Sequence, residues 1–259
     1  MSMTRQPRAR VRSYAISHPP GIVVLPTQPG WDRVVFAHDG LFTAHAAAHA
    51  WTVPAHRAIC VPDGVEVRIE TRRRSAIRCL YLDRELEALQ RSVRVISMPP
   101  LTRELLAHAV DLAPMKLDRE VDRALICLLA DRISKEPATP LHLPAPQDAV
   151  AQEVAAAVAA DPARPLDEHV QLVGASRRTI ERRFRDETGM SLGRWRRRCR
   201  ILAAVAHLAE GDSVTHVAMR VGYSSPSSFV AAFRSELDQP PLEYLRDHRA
   251  TATTTGDPP

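Results

Sequence analysis

A short basic helix with a fixed apolar anchor constrains this sequence more than any other feature. Ser176 is a good N-cap, Ile180 and Phe184 lie four residues apart on one helical face, and Gly189 suits a left-handed stop. A short amphipathic segment and a tight turn at Gly174 come before the cap. This order of elements predicts a helix-turn-helix.

A second copy of the motif appears when the sequence is shifted by 49 residues. The shift aligns Ile180 with Phe229, Phe184 with Phe233, Gly189 with Asp238, Trp195 with Tyr244 and Arg197 with Arg246, while Gly174 corresponds to Gly222. Residues 191–210, between the copies, predict one helix about 30 Å long at 1.5 Å per residue. Successive major-groove faces of B-DNA lie about 34 Å apart, so such a rod can hold two reading helices one turn apart.

The charge of this region favours a polyanionic partner. From Ser176 to Arg200 there are ten arginines and three acidic residues, in a chain with a net charge of +5. Arginine pairs with phosphate and can fork onto guanine. The arginines at 194, 196, 197, 198 and 200 lie on the linking helix, where they either add phosphate contacts or are simply solvated.

Residues 148–248 resemble the DNA-binding domain of the AraC/XylS family of bacterial transcription regulators. The resemblance is carried by residues 182–191 (RRFRDETGMS), 218–225, 229–234 and 241–246. It implies an all-α domain, residues 148–249, of two helix-turn-helix motifs joined by a long helix, acting on double-stranded promoter DNA. His169, Val170 and Asp238 depart from the usual family residues.

The resemblance also implies roles for individual residues. In the first motif Arg178, Glu181 and Arg182 fall at base-reading positions, and Arg177 and Arg185 at backbone-contacting positions. The complete predicted DNA-binding set is Ser176, Arg177, Arg178, Thr179, Glu181, Arg182, Arg185, Ser225, Ser227, Ser228 and Arg234. Because the second helix offers only small residues at the matching positions, we expect it mainly to hold the DNA backbone.

The first half of the chain has a different pattern. Short apolar or alternating runs between Tyr14 and Asp83, separated by Gly, Pro and Asp, predict an all-β sandwich or small barrel. Residues 51–64 resemble the cupin-type effector domain of AraC-like regulators. Residues 14–136 are therefore expected to form a cupin-like effector or dimerisation domain with C-terminal helices. Residues 137–147 are expected to be a proline-rich linker with polyproline II character.

Two features bear on what this domain does. Metal-dependent cupins have histidines on an early strand and after a Pro-x-Gly turn, but residues 25–32 and 65–67 contain none. We therefore expect no metal, no cofactor and no catalytic residues. Trp31, Phe36, Phe42 and Trp51 could line an effector pocket or be plain core.

Two helices are predicted after the strands, at 101–109 and at 118–135 with Asp118 as N-cap. The second has an apolar stripe from Val121 to Ile133 that packs either wholly on the barrel or partly on a second subunit. The family resemblance favours the second alternative, a homodimer. Tails are expected at residues 1–12 and 251–259.

Cysteine use and hydropathy complete the prediction. Four widely spaced cysteines are expected to be free thiols in a reducing cytoplasm, and no apolar run suits a membrane span. The favoured function is a sequence-specific transcription regulator, not an enzyme, with a small-molecule effector and RNA polymerase as possible partners. The alternatives are a cupin-type isomerase or dioxygenase with a helical appendage, and a non-specific architectural DNA binder.

The missing cupin histidines generate the first prediction. Purified protein should contain no stoichiometric zinc, iron or manganese, because the usual imidazole ligands are absent. Elemental analysis after mild chelation measures this directly. About one retained metal ion per chain would contradict the prediction.

Overall fold

Antiparallel strands followed by helices form the first half of the chain in a computed structural model of the protein. The structure describes residues 9–38, 41–46, 49–71, 74–139, 141–244 and 246. The described residues divide into two units, one within Met1–Ala47 and Val53–Thr139, the other within Ala48–Thr52 and Pro140–Ala250. Among the helices described, none has the length and apolar character needed to cross a bilayer.

The described part of the first unit contains most of the strands and two helices. The strands are β1 (Val11–His18), β2 (Gly21–Leu25), β3 (Trp31–Ala37), β4 (Leu41–Ala46), β5 (His49–Pro54, only its end in this unit), β6 (Arg57–Val61), β7 (Val67–Thr71), β8 (Ser75–Asp83), β9 (Arg94–Ser97) and β10 (Ala138–Thr139). A single 3-10 turn, Arg84–Leu86, follows β8. The helices are α1 (Pro100–Leu112) and α2 (Glu120–Lys135).

The strands pair into two antiparallel arrangements. One sheet has the order β1-β8-β3-β6-β9-β10, and in the other β7 lies between β4 and β2. Val34 and Phe36 point from β3 into a core shared with Leu106 of α1 and Leu129 of α2. The predicted β-rich domain with helices after it is confirmed.

The opposite face of β3 holds a buried arginine that the sequence pattern did not reveal. Arg33 is 1% exposed and donates hydrogen bonds to the carbonyls of Leu25 (3.4 Å), Pro26 (3.3 Å) and Val65. Burial lowers the pKa of its guanidinium group. Arg33 therefore ties β3 to the chain leaving β2 and to the chain entering β7.

Three details of the first unit differ from the sequence predictions. β1 begins at Val11, inside the expected tail, because all eight of its residues pair with β8. β9 was missed, although it pairs with β6. Asp118 is not the N-cap of α2: Arg119 occupies that position, and the buried Asp122 accepts a hydrogen bond from the Lys116 N–H (3.0 Å). Residues 1–8 and 251–259 lie outside the described residues.

The described part of the second unit contains six helices with defined bounds and one strand pair. The helices are α3 (Ala149–Ala160), α4 (Leu166–Leu172), α5 (Arg177–Thr188), α6 (Leu192–Ala209), α7 (Val214–Arg220) and α8 (Pro226–Leu237). A short strand, β11 (His142–Pro144), pairs with the first residues of β5. Both helix-turn-helix motifs, α4–α5 and α7–α8, and the long connecting helix α6 are where the sequence placed them.

The repeat seen in the sequence is also a repeat of contacts. Phe184 of α5 packs edge-on against Trp195, with 5.4 Å between the ring centroids. Phe233 of α8 packs edge-on against Tyr244, with 5.5 Å between the ring centroids. Each motif has its own apolar cluster, one around the first pair and one around the second. The two recognition helices are therefore held by equivalent aromatic anchors.

The predicted linker differs from a polyproline spacer. Ala138 and Thr139 pair with β9, while Pro144 accepts a hydrogen bond from the Trp195 indole N–H (2.7 Å). Extended φ values suit both polyproline II and β pairing, and here nearby strand edges supply partners for the backbone.

The helix stops of the two motifs generate a stability prediction. Gly189 (φ 69°) and Asp238 (φ 59°) are equivalent left-handed C-caps, a conformation that costs an L-residue about 1 kcal/mol more than glycine. Asp238→Gly should therefore raise the free energy of unfolding by up to about 1 kcal/mol. Gly189→Ala should lower it by a similar amount.

Chemical denaturation monitored by circular dichroism measures both changes, with Gly193→Ala as the control. Gly193 lies in α6 without a positive φ and with open space around it. Equal responses at Gly189 and Gly193 would contradict the assignment of strain to the left-handed caps.

Candidate nucleic-acid interface

Three arginines line one exposed face of α5. Arg178, Arg182 and Arg185 lie at helical spacing, and together with Thr179, Glu181 and Asp186 they border a shallow groove. No hydrogen bond or ion pair to another part of the described chain occupies these three guanidinium groups. An exposed row of uncommitted guanidinium groups can fork onto guanine or pair with phosphate.

Other charged residues of α5 are engaged within the protein. Arg177 forms a salt bridge with Asp167 of α4, and Arg183 forms one with Asp148. Glu181 accepts a hydrogen bond from the backbone N–H of Leu192 (3.1 Å) at the start of α6. Sequence reasoning placed Glu181 at a base-reading position and missed this helix-capping contact, which joins residues 11 positions apart.

The helix N-termini are held by their own hydroxyl groups. Ser176 Oγ accepts from the Thr179 N–H (3.2 Å) and lies 2.8 Å from Thr179 Oγ1. At α8, Ser225 Oγ accepts from the Ser228 N–H (3.2 Å) and lies 3.1 Å from Ser227 Oγ. These predicted DNA-binding serines thus have a capping role that holds both helix starts in place.

The two recognition helices differ in exposed charge. Arg234 is the basic residue of α8, where Ser227 and Ala231 occupy the positions equivalent to Arg178 and Arg182. α5 presents three free arginines on the equivalent face. α5 can therefore donate many more hydrogen bonds to base edges than α8 can.

The arginines of α6 divide into two groups that the sequence could not separate. Arg194 and Arg197 are exposed, whereas Arg198 is buried. Arg196 and Arg200 donate hydrogen bonds to backbone carbonyls of the loop between α3 and α4. Only the exposed pair suits the phosphate contacts considered for this helix.

Backbone and side-chain contacts hold the start of α3 against α5. The Glu187 carboxylate accepts from the N–H groups of Gln147 (2.7 Å) and Asp148 (3.1 Å). Asp148 caps α3 by accepting from the Ala151 N–H, which together with Arg183 holds the pKa of its carboxyl group below the usual range. The start of α3 is therefore held against the second half of α5.

The four aromatic residues predicted for an effector pocket or for plain core are all buried. Phe36 packs in the core beneath α1 and α2. Trp51 belongs to the second unit, where its ring lies 5.3 Å from that of His49 and 6.3 Å from that of His142. Trp31 and Phe42 are buried in the first unit, and the Arg12 guanidinium lies 4.6 Å above the Trp31 ring.

The first unit has a polar cleft that the sequence pattern did not predict. Its lining includes Asp32, Asp63, Arg84, Glu87, Gln90 and Arg91. Burial raises the pKa of the Asp32 carboxyl group, which accepts a hydrogen bond from the Asp63 N–H (2.9 Å). Within the described ranges, no group of three or more His, Cys, Asp or Glu side chains is placed to hold a metal ion.

Comparisons with known proteins agree with the geometry of the second unit. The family model described as "Helix-turn-helix domain" matches residues 170–247. The transcriptional regulator NimR of Escherichia coli K12 is 26% identical over 215 residues, which cover 82% of this chain and 79% of NimR. The regulatory protein SoxS of Salmonella typhimurium is 35% identical over 72 residues, 27% of this chain and 67% of SoxS.

The structure of ToxT from Vibrio cholerae aligns over 92% of this chain and 98% of its own, with 12% identity and a TM-score of 0.39. The fold and the sequence relatives define a helix-turn-helix regulator of transcription. The chain belongs to the AraC family of DNA-binding transcription regulators.

Proposed function

We propose that the two recognition helices divide the work on DNA, α5 reading the base sequence and α8 holding the backbone. The observation that carries this proposal is the exposed, uncommitted row of Arg178, Arg182 and Arg185 on α5. The matching face of α8 offers hydroxyl groups and Arg234, which suit phosphate oxygens. The second motif then adds affinity without adding much sequence information.

Arginine substitutions test this division. A forked arginine–guanine contact is worth about 1–3 kcal/mol of discrimination, so Arg178→Ala or Arg182→Ala should weaken binding to the preferred site much more than to random DNA. Arg234→Ala should weaken binding to the preferred site and to random DNA alike. It should also reduce the slope of log affinity against log salt concentration by about 0.9, for one lost phosphate contact. Titrations at several salt concentrations would use a duplex selected from a random library by the unsubstituted protein.

Arg183→Ala serves as the control, since Arg183 pairs with Asp148 and does not border the groove. Circular dichroism confirms that each variant is folded. Equal losses on both duplexes for Arg178→Ala and Arg182→Ala would favour the architectural alternative, in which no base is read.

We also propose that the first unit controls the second through self-association, a small-molecule effector, or both. Val121 (69% exposed) and Leu128 (42% exposed) leave one apolar side of α2 uncovered, which suits a homodimer contact. For an effector, buried Trp31 and Phe42 remain candidates, and the polar cleft beside Asp32 is a second one.

Sedimentation of the full chain tests self-association. At tens of micromolar, where a contact of about 6–7 kcal/mol is half formed, the protein should sediment as a dimer. Leu128→Glu should shift it to monomer by placing a charge in the contact. Ile22→Glu, at an equally apolar position of β2 that is 67% exposed, should leave the dimer intact. A monomeric unsubstituted protein at this concentration would rule out the contact.

The non-enzymatic role is likewise a proposal, supported by relatives named as transcriptional regulators. A cytoplasmic location belongs to the same proposal, because chromosomal DNA lies there. RNA polymerase is the partner that an activating regulator would contact. The cupin-type isomerase or dioxygenase alternative requires turnover of a small molecule, which the proposed function does not.

A further inference from the structure

The two motifs have separate apolar cores that meet at one residue of α6. The first core extends along α6 to Cys199, and the second begins at Ile201. Arg200 lies between them. Apolar packing within each core therefore leaves the orientation of one motif against the other to α6 and to polar contacts at this border.

Two arginines of α6 hold the loop between α3 and α4, which leads into the first motif. Arg196 Nε donates to Pro162 O (3.1 Å) and its Nη2 to Ala163 O (2.9 Å). One turn later, Arg200 repeats the pattern, with Nε to Pro162 O (2.8 Å) and Nη2 to Ala163 O (3.2 Å). Two planar forks thus hold the same two carbonyl groups.

The turn of the second motif closes on the same place. A Cβ atom on Gly222 would lie 2.7 Å from Ala163 Cα and 2.6 Å from Arg200 Nη2, closer than real Cβ atoms approach. The next residue, Tyr223, places its ring 5.4 Å from the Arg200 guanidinium carbon. In the first motif, the equivalent Gly174 has open space around its Cβ position. Gly222 is therefore needed for close approach as well as for its positive φ.

The geometry points to a positioning role. We propose that Arg196, Arg200 and Gly222 form a clamp that fixes the spacing of α5 and α8, and so sets DNA affinity without touching DNA. The Nε and Nη2 groups of Arg196 and Arg200 already have carbonyl acceptors, and burial lowers the pKa of both arginines, as expected for groups withdrawn from solvent. The effect on affinity rests on the proposed backbone-holding role of α8, but the effect on spacing does not.

A distance measurement on the DNA-free, full-length protein tests the spacing. Nitroxide labels at Asp186→Cys and Ser235→Cys occupy equivalent exposed positions of α5 and α8, with the exposed Cys127 replaced by Ser. Double electron–electron resonance should give one narrow distribution of distances between the two labels. The clamp variant, Arg196→Gln with Arg200→Gln, should broaden this distribution. The control variant, Arg194→Gln with Arg197→Gln, removes the same charge from exposed positions of α6 and should leave the distribution unchanged. An unchanged distribution in the clamp variant overturns the proposal.

A glycine pair provides an independent variant in case the double glutamine variant does not fold. Gly174→Ala and Gly222→Ala carry the same left-handed strain, at φ 66° and 84°, but only the second closes on Ala163 and Arg200. Gly222→Ala should shift or broaden the label distance, and Gly174→Ala should leave it unchanged. Identical distributions for the two overturn the clamp.

Binding to the selected duplex tests the link to affinity. If the clamp positions α8, Arg234→Ala should reduce DNA affinity less than about twofold when it is added to the clamp variant. Arg182→Ala should reduce affinity by the same factor in the clamp variant as in the otherwise unsubstituted protein. Arg200→Lys keeps the charge but lacks the planar fork of N–H groups that faces both carbonyls, so it should bind DNA as weakly as Arg200→Gln. Full DNA binding by Arg200→Lys would overturn the link between the clamp and affinity. So would an affinity loss on Arg234→Ala that is as large in the clamp variant as in the otherwise unsubstituted protein. No effect of Arg234→Ala in the otherwise unsubstituted protein would instead count against the proposed role of α8.

Discussion

Each recognition helix of this protein is anchored by an edge-to-face aromatic contact at equivalent positions. Phe184 packs on Trp195 and Phe233 on Tyr244, at centroid distances of 5.4 and 5.5 Å. Such pairs add about 0.5–1.5 kcal/mol beyond the burial of apolar area, and both phenylalanines are fully buried. With the anchor inside, the opposite helix face must point outward, so the contact decides which side chains can reach a ligand.

The arginines show why charge alone does not identify a DNA contact. Arg178 and Arg182 are exposed and uncommitted, Arg183 pairs with Asp148, and Arg196 and Arg200 hold backbone carbonyls. These arginines look alike in the sequence. A guanidinium group that already pairs with a carboxylate or with carbonyls has fewer N–H donors left for phosphate, so the excess of positive charge available to DNA is smaller than the residue count suggests.

The first unit illustrates a similar limit for apolar residues. Trp31, Phe36 and Phe42 are all buried, and Phe36 packs in a core with residues of α1 and α2. A polar cleft beside Asp32 lies where the sequence offered no aromatic signal. Residue type predicts burial well, but strand parity and sheet packing decide which buried residues share a wall.

The sequence by itself determined the helix-turn-helix pair, the long connecting helix and the β-rich first half, because each depends on local signals: caps such as Ser176, anchors at i and i+4, and apolar alternation. It also placed the uncommitted arginines on the exposed face of α5. It could not reveal the capping of α6 by Glu181, the buried Arg33 or the contact of Gly222 with Ala163. Those depend on residues brought together from distant positions, and only the tertiary structure decides which donors, acceptors and empty spaces meet.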